Sequence, residues 1–155
     1  MPGRCRGFTL LEILTVMVLI GVLLGLATVG LRAGPAQKAR QYAHELVTMI
    51  TQLRVKAVSD GAEYGVRFDD DGYRLMEWKE GQWFQRSAHP VGEGMSFRLE
   101  LEGQALQLSH RADEPQLLIL SSDETSAFAL YFETADGPLL AVSSDGVNDP
   151  VIDGH

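Results

Sequence analysis

The chain has 155 residues, of which 45% are hydrophobic, so it is long enough to form one folded domain with a core. Its formal net charge of −8 gives the body of the protein no general attraction for nucleic acid or anionic lipid headgroups. Cys5 is the one cysteine, which excludes an intrachain disulfide and leaves stability to packing.

The N-terminal part of the chain carries a long apolar segment. Residues 8–31 contain one ionisable side chain, Glu12, and at the rise of an α-helix they extend about 36 Å, enough to cross a bilayer. Arg4 and Arg6 precede the segment, and no small-residue cleavage pattern follows it, which argues against an ordinary secretory signal. Basic residues flank both ends, so charge alone leaves the orientation open.

Glu12 is the unusual residue of this segment. An acid inside an apolar membrane helix costs about 2.5–3.5 kcal/mol on insertion scales, so something should offset that cost. One interpretation places Glu12 near the interface, protonated or reaching water. The residue types around Glu12 favour a different interpretation, which follows from a resemblance.

The residues around Glu12 resemble a known processing signal. The sequence Gly-Phe-Thr-Leu-Leu-Glu at 7–12 follows basic residues and precedes the apolar run 13–20. This arrangement is similar to the class III signal of type IV pilins and of type II secretion pseudopilins. The resemblance implies that a prepilin peptidase cleaves between Gly7 and Phe8 and methylates the new amino group on Phe8. It also implies that Glu12 faces the charged N-terminal amine of a neighbouring subunit during assembly. Loss of residues 1–7 removes two arginines and Cys5, which leaves a net charge of about −10.

A second, amphipathic helix is predicted after Gly34-Pro35, where either a new helix starts or one long helix kinks. Charged and amide side chains occupy one side of residues 36–59, and Gly61 predicts the end of the helix. The apolar positions recur at spacings of three and four, at Ala39, Tyr42, Ala43, Leu46, Ile50, Leu53 and Ala57.

Beyond Gly61 the apolar period changes to two, which predicts strands. Turn residues at 69–72, 80–81 and 102–103 separate the first of them. The predicted strands cover residues 64–68, 73–78, 82–85, 95–101, 106–108, 116–120, 127–133 and 139–143. The sequence therefore predicts an α+β fold, in which a long N-terminal helix packs on an antiparallel β-sheet or sandwich of about eight strands.

The globular part extends the resemblance. The sequence Gly-Val-Arg-Phe at 65–68 with the acidic turn after it, the strand around Trp83, and the segment 115–130 are similar to the minor pseudopilin H family of type II secretion systems. The resemblance implies a type IV pilin-like fold. The family usually has glycine where Asp123 stands and proline where Ala127 stands, so the turn is expected to differ there.

This resemblance implies a structural subunit that is not an enzyme and needs no cofactor. Its place would be a short periplasmic pseudopilus, between a tip complex of other minor pseudopilins and a body of the major pseudopilin. An inner-membrane platform would extract it from the lipid, and the pseudopilus would move folded exoproteins across the outer membrane. The implied organisation is a leader at 1–7, a transmembrane and filament-core helix at 8–31, an amphipathic helix at 32–60 and a β domain in the periplasm at 61–155.

Few polar clusters suggest chemistry. The four histidines, His44, His89, His110 and His155, share no ligand spacing for zinc. Ser121, Ser122 and Asp123 lack the Gly-x-Ser-x-Gly elbow of a hydrolase and are typical of a turn. Near the C-terminus, Asp145, Asp149 and Asp153 are weak candidates for a calcium site, against which solvated acidic turns are the simpler interpretation.

Two alternative functions remain open from the sequence. A minor pilin of a type IV pilus shares the leader and Glu12, although many such pilins close a C-terminal loop with a disulfide that the mature chain here lacks. A membrane-anchored periplasmic enzyme or sensor would make the leader match a coincidence, and it would need a polar cleft that the sequence does not show.

Overall fold

The computed structural model describes residues 10–29, 34–108 and 113–154. The chain divides into two compact units, Met1–Gly34 and Pro35–His155. Gly7 and Phe8, where the sequence predicts cleavage and methylation, lie outside the described residues, as do His110 and His155.

The first unit contains helix α1, Leu10–Val29, which lies within the predicted apolar segment. The side chains from Leu10 to Val22 are exposed in this single chain. The hydroxyl of Thr15 donates to the carbonyl of Leu11 at 2.6 Å, so this polar group is satisfied within the helix. Within the residues that the structure describes, no helix combines the length and the apolar character needed to cross a membrane.

The second unit begins with helix α2, Pro35–Asp60, and both ends of this helix follow from its sequence. Pro35 occupies the first position, where a missing N–H costs nothing. At the other end Gly61 has φ +61°, and the N–H of Ala62 donates to the carbonyl of Ala57 at 3.1 Å, as in a Schellman cap. The predicted apolar stripe is confirmed, because six of its residues are buried: Ala39, Ala43, Leu46, Ile50, Leu53 and Ala57.

Among the residues that the structure describes, nine strands follow α2 and form two antiparallel sheets. In chain order the strands are β1 (Tyr64–Asp69), β2 (Gly72–Lys79), β3 (Gln82–Pro90), β4 (Met95–Leu101), β5 (Gln104–Leu106), β6 (Leu117–Ile119), β7 (Phe128–Thr134), β8 (Gly137–Ser144) and β9 (Val151–Gly154). One sheet has the order β3-β2-β1-β6 and the other has the order β5-β4-β7-β8-β9. The α+β fold predicted from the sequence is confirmed.

The structure adds one strand and lengthens another. The sequence predicts no strand after residue 143, whereas β9 pairs with β8, placing Ile152 opposite Val142. In β9 only Ile152 is partly buried, so the strand carries almost no apolar alternation. Strand β3 was predicted to end at residue 85 but continues to Pro90. A bulge opposite Leu75 and Met76 interrupts the apolar–polar alternation on which the prediction depends.

The core lies between α2 and the inner faces of the two sheets. Helix α2 contacts β6 of the first sheet and β8 and β9 of the second. Aromatic rings connect the sheets directly, since the ring centroids of Phe68 in β1 and Phe97 in β4 lie 5.9 Å apart. Within the second sheet, the ring centroids of Phe97 and Phe132 of β7 lie 5.1 Å apart. Both pairs pack edge to face. Such pairs add about 0.5–1.5 kcal/mol each to the energy of burial.

The segment that leads into β6 packs against β1 of the first sheet. A Cβ atom at Gly65 of β1 would lie 2.4 Å from Cγ of Pro115, so the proline ring rests directly on this glycine. The next side chain, Gln116, accepts from the N–H of Phe68 at 2.8 Å and donates to the carbonyl of Phe68 at 3.1 Å. Its amide therefore continues the β1–β6 ladder beyond the last paired residue.

The close approach at Gly65 makes this position intolerant of a larger residue. Gly65→Ala should lower the free energy of unfolding by about 1–3 kcal/mol, because Pro115 must move to admit the methyl group. The same change in a Pro115→Gly chain is the matched control, since that chain lacks Cγ and Cβ of Pro115, the atoms that the methyl group would otherwise meet at 2.4 and 2.5 Å. Denaturant unfolding of both variants in detergent measures the difference, and equal losses would contradict this account of the Gly65–Pro115 contact.

Candidate functional site

The C-terminal half of α2 carries a buried arginine within its apolar stripe. The side chain of Arg54 is 8% exposed. Its Nε donates to Oδ1 of Asp123 at 3.1 Å, and its Nη1 donates to Oδ1 of Asp149 at 3.2 Å. Its Nη2 donates to two backbone carbonyls, that of Asp123 at 3.1 Å and that of Val147 at 2.7 Å. Four oxygen atoms therefore converge on one guanidinium.

These oxygen atoms belong to two loops. The 120–127 loop joins β6 to β7, and the 145–150 loop joins β8 to β9. Arg54 can hold both because its planar guanidinium presents several donors in fixed directions, which a lysine ammonium does not. The carboxylates of Asp123 and Asp149 are 59% and 72% exposed, so the charge of the arginine is buried while its partners remain hydrated. Arg54 thus connects α2 to both surface loops.

The two loops are also joined to each other. The N–H of Thr125 donates to the carbonyl of Gly146 at 2.9 Å, and Gly146 has φ +90°. A Cβ atom at Gly146 would lie 2.6 Å from the carbonyl oxygen of Thr125, so this close approach requires glycine. Helix α2 and the two loops therefore form one connected polar cluster, which we call the Arg54 cluster: Arg54, Asp123, Thr125, Gly146, Val147 and Asp149.

The three aspartates considered for calcium are used separately. Asp149 pairs with Arg54, and Asp153 accepts from the hydroxyl of Ser143 at 3.3 Å. Asp145 accepts from the backbone N–H groups of Asn148 at 2.8 Å and of Val147 at 3.0 Å. Those two bonds lower the pKa of Asp145 to about 2. Among the described residues, no group of three or more histidine, cysteine or acidic side chains could hold a metal ion.

The other polar residues singled out from the sequence have local partners. Ser122 donates to Glu124 at 3.4 Å within the 120–127 loop, as turn residues do. His89 stacks on Tyr73 with ring centroids 4.9 Å apart, and its Nε2 lies 3.0 Å from the hydroxyl of Ser87. His44 is exposed on α2. Each of these contacts joins side chains within one turn, within one strand or on two adjacent strands.

Glu12, the N-terminal candidate residue, belongs to the first compact unit of the chain. Glu12 lies in the first turn of α1, where a carboxylate interacts favourably with the helix dipole. Its side chain is exposed in the single chain and can therefore contact a group of another molecule. Gly7 and Phe8, the other members of the predicted signal, stand outside the residues that the structure describes.

Comparison with known proteins connects the N-terminal segment and the globular unit. Residues 2–28 match the model of the prokaryotic N-terminal methylation motif. The chain is 38% identical to type II secretion system protein H of Pseudomonas aeruginosa, covering 96% of this chain and 95% of that protein. It is 28% identical to type II secretion system protein H of Vibrio cholerae, covering 81% and 80%. The chain belongs to the type II secretion system protein H family.

The fold agrees with a solved structure of a similar protein. The crystal structure of the minor pseudopilin EpsH from the type II secretion system of Vibrio cholerae superposes with a TM-score of 0.67. The match covers 78% of this chain and 99% of that one, at 21% sequence identity. The likeness at this identity concerns the fold, and it supports the pilin-like architecture predicted from the sequence.

The turn at Asp123 was expected to differ because members of the protein H family usually have glycine there. In the structure Asp123 has φ +70°, a left-handed conformation that glycine adopts without strain and aspartate tolerates. The aspartate gives its side chain and its carbonyl to Arg54. Asp123 therefore combines a backbone conformation suited to glycine with an ionic contact to α2.

Arg54 was missed by the sequence analysis. Its position was detectable, because Arg54 stands four residues after Ile50 and three before Ala57, within the apolar period of α2. A charged residue in a buried stripe requires a partner. Its partners come from residues 69 to 95 positions away along the chain, and no sequence spacing indicates contacts of that kind.

Arg54 should stabilise the two loops more than a surface charge can. Arg54→Met should lower the free energy of unfolding by about 2 kcal/mol or more, because it leaves the carbonyls of Asp123 and Val147 without their donor. Hydrogen exchange in the 120–127 and 145–150 loops should also become faster.

Lys56→Met is the control, since Lys56 is exposed, pairs with Asp60 on the same helix and lies 5.8 Å from the ring centroid of Tyr64. It should change stability by less than about 1 kcal/mol. Arg54→Lys should recover only part of the loss because it lacks the fork of donors. Unchanged loop exchange in Arg54→Met would contradict the role given to the Arg54 cluster.

Proposed function

We propose that this minor pseudopilin of the type II secretion system is a structural subunit of the periplasmic pseudopilus. It stands between a tip complex of other minor pseudopilins and the body formed by the major pseudopilin, and helps move folded exoproteins across the outer membrane. The single observation that carries the proposal is the agreement, along nearly the whole chain, with proteins named type II secretion system protein H. The function is mechanical, so it depends on contacts rather than on a reaction.

The structure supports a role without catalysis. Arg54 and Gln116 use their polar groups to hold loops and a strand edge in place. The acidic body gives no electrostatic reason to expect nucleic acid as a partner. Its partners are therefore proteins: other minor pseudopilins, the major pseudopilin, the inner-membrane platform and the prepilin peptidase.

The N-terminal segment provides the anchor in this proposal. Residues 1–7 are the leader, which the peptidase removes on the cytoplasmic side, and residues 8–31 span the inner membrane once before assembly. Residues 35–155 then face the periplasm, attached through Gly34. The match of residues 2–28 to the N-terminal methylation motif supports this arrangement.

Processing can be tested directly on the native protein. Mass spectrometry of the mature chain should find Phe8 as the first residue, carrying one methyl group on its amine, and no Cys5. An intact leader, or cleavage beyond residue 31, would contradict the proposed anchor and would favour a membrane protein of another class.

Glu12 carries the assembly step. In the lipid its carboxylate costs about 2.5–3.5 kcal/mol, and the cationic amine of Phe8 in a neighbouring subunit offsets that cost. Methylation of the amine keeps its positive charge, so the pair survives processing. The ion pair between Glu12 and the Phe8 amine needs two subunits. It therefore stabilises subunits in the filament relative to single subunits in the lipid.

Replacement of Glu12 separates an assembling subunit from a merely anchored protein. Glu12→Leu should leave cleavage before Phe8 intact but lower exoprotein secretion about tenfold or more, because the pair with the amine is lost. Thr15→Leu, one turn along the same helix, is the control and should secrete normally. Normal secretion by Glu12→Leu would contradict the proposal, since an anchored enzyme or sensor gains insertion energy from this change and keeps its activity.

A further inference from the structure

A groove opens beside the Arg54 cluster. It has a volume of about 240 Å³ and lies between the 120–127 loop and the 145–150 loop, with β6 as its floor. Ligand pockets for whole small molecules span about 300–1,000 Å³, so this groove has room for one or two side chains rather than for a cofactor. Its dimensions suit a segment of another protein.

The floor and one wall of the groove are apolar and exposed. Leu118 of β6 is 37% exposed and Val147 of the 145–150 loop is 69% exposed. Both line the groove. An apolar side chain placed there would remove surface of both residues from water, at about 25 cal/mol for each Å² buried.

The rim of the groove is acidic. Glu124 and Asp145 line it, and none of its lining residues is basic. Hydrogen bonds from the N–H groups of Asn148 and Val147 hold the pKa of Asp145 at about 2, so this carboxylate is charged throughout the physiological range. A basic side chain fits this rim, and an acidic one is repelled.

The walls of the groove are held before any partner arrives. Arg54 fixes both loops from the side of α2, and the Thr125–Gly146 hydrogen bond of 2.9 Å ties them to each other. A site whose loops are already ordered loses less conformational entropy on binding. The groove is therefore built to accept a segment without first rearranging.

We propose that the groove between the 120–127 and 145–150 loops is a docking site for a segment of an adjacent pseudopilin subunit, an apolar side chain flanked by lysine or arginine. The inference rests on the proposed function, because the neighbour is a subunit of the pseudopilus. The apolar side chain contacts Leu118 and Val147, and the basic side chain contacts Glu124 and Asp145. A second copy of this acidic chain is the less suitable occupant, since the two bodies repel each other.

Photo-crosslinking in cells that express the complete secretion system tests the groove. The full-length chain carries p-benzoylphenylalanine in place of Val147 in the test strain and in place of Val55 in the control strain. The two valines are matched, being 69% and 67% exposed, but Val55 lies on α2. Position 147 should form an adduct with another pseudopilin, identified by mass spectrometry, and position 55 should not form that adduct.

Charge reversal at the rim tests the chemistry of the occupant. Glu124→Lys should lower the yield of the adduct from position 147 about tenfold, since it repels a basic segment. Glu93→Lys makes the same change of charge at an exposed residue outside the groove and should leave the yield unchanged. An equal effect of both variants, or none of Glu124→Lys, would overturn the proposed charge of the partner segment.

The remaining outcomes each give an answer. An adduct only with a second copy of this chain, or equal adducts from positions 147 and 55, would overturn the docking site. So would the absence of an adduct in cells that secrete normally. Secretion that does not depend on the chain at all would instead overturn the proposed function, so the two failures are distinguishable.

Discussion

The globular unit depends on the burial of one face of α2 against the two sheets. The helix lies against strands of both sheets, so its apolar stripe closes the core from one side while the aromatic rings of Phe68, Phe97 and Phe132 join the sheets to each other. Small residues in the stripe, such as Ala39 and Ala43, are fully buried and let the backbone of the helix approach the strands closely. The positions of the sheets, and of the loops at their ends, follow from this packing.

Arg54 extends that contact from the core to the surface. A buried charge is poor evidence for stability in itself, because its desolvation offsets much of what its partners contribute. Here the four bonds are divided between two loops, so the arginine determines where those loops lie relative to α2. In a protein whose function is contact with neighbours, the position of a surface loop matters as much as the free energy of unfolding.

The sequence predicted the parts of the fold that depend on regular periods. The stripe from Ala39 to Ala57 has the period of a helix, and the turns at 80–81 and 102–103 use Glu-Gly pairs that adopt positive φ, so both were detectable. Strand β9 and the end of β3 were missed because one lacks alternation and the other follows a bulge. The family resemblance identified the N-terminal signal, whereas the Arg54 cluster and the groove arise from tertiary contacts between distant residues, which no local pattern in one sequence reveals.

The amide of Gln116 has a further consequence for the protein before it assembles. Strand β6 covers only the first half of the edge of β1, and beyond it the peptide groups of Phe68 would be open to pairing with any extended chain. Gln116 occupies both of them, so the edge closes without a longer strand. Separate subunits are thereby kept from pairing through this part of the β1 edge, so association there is left to side chains rather than to the backbone.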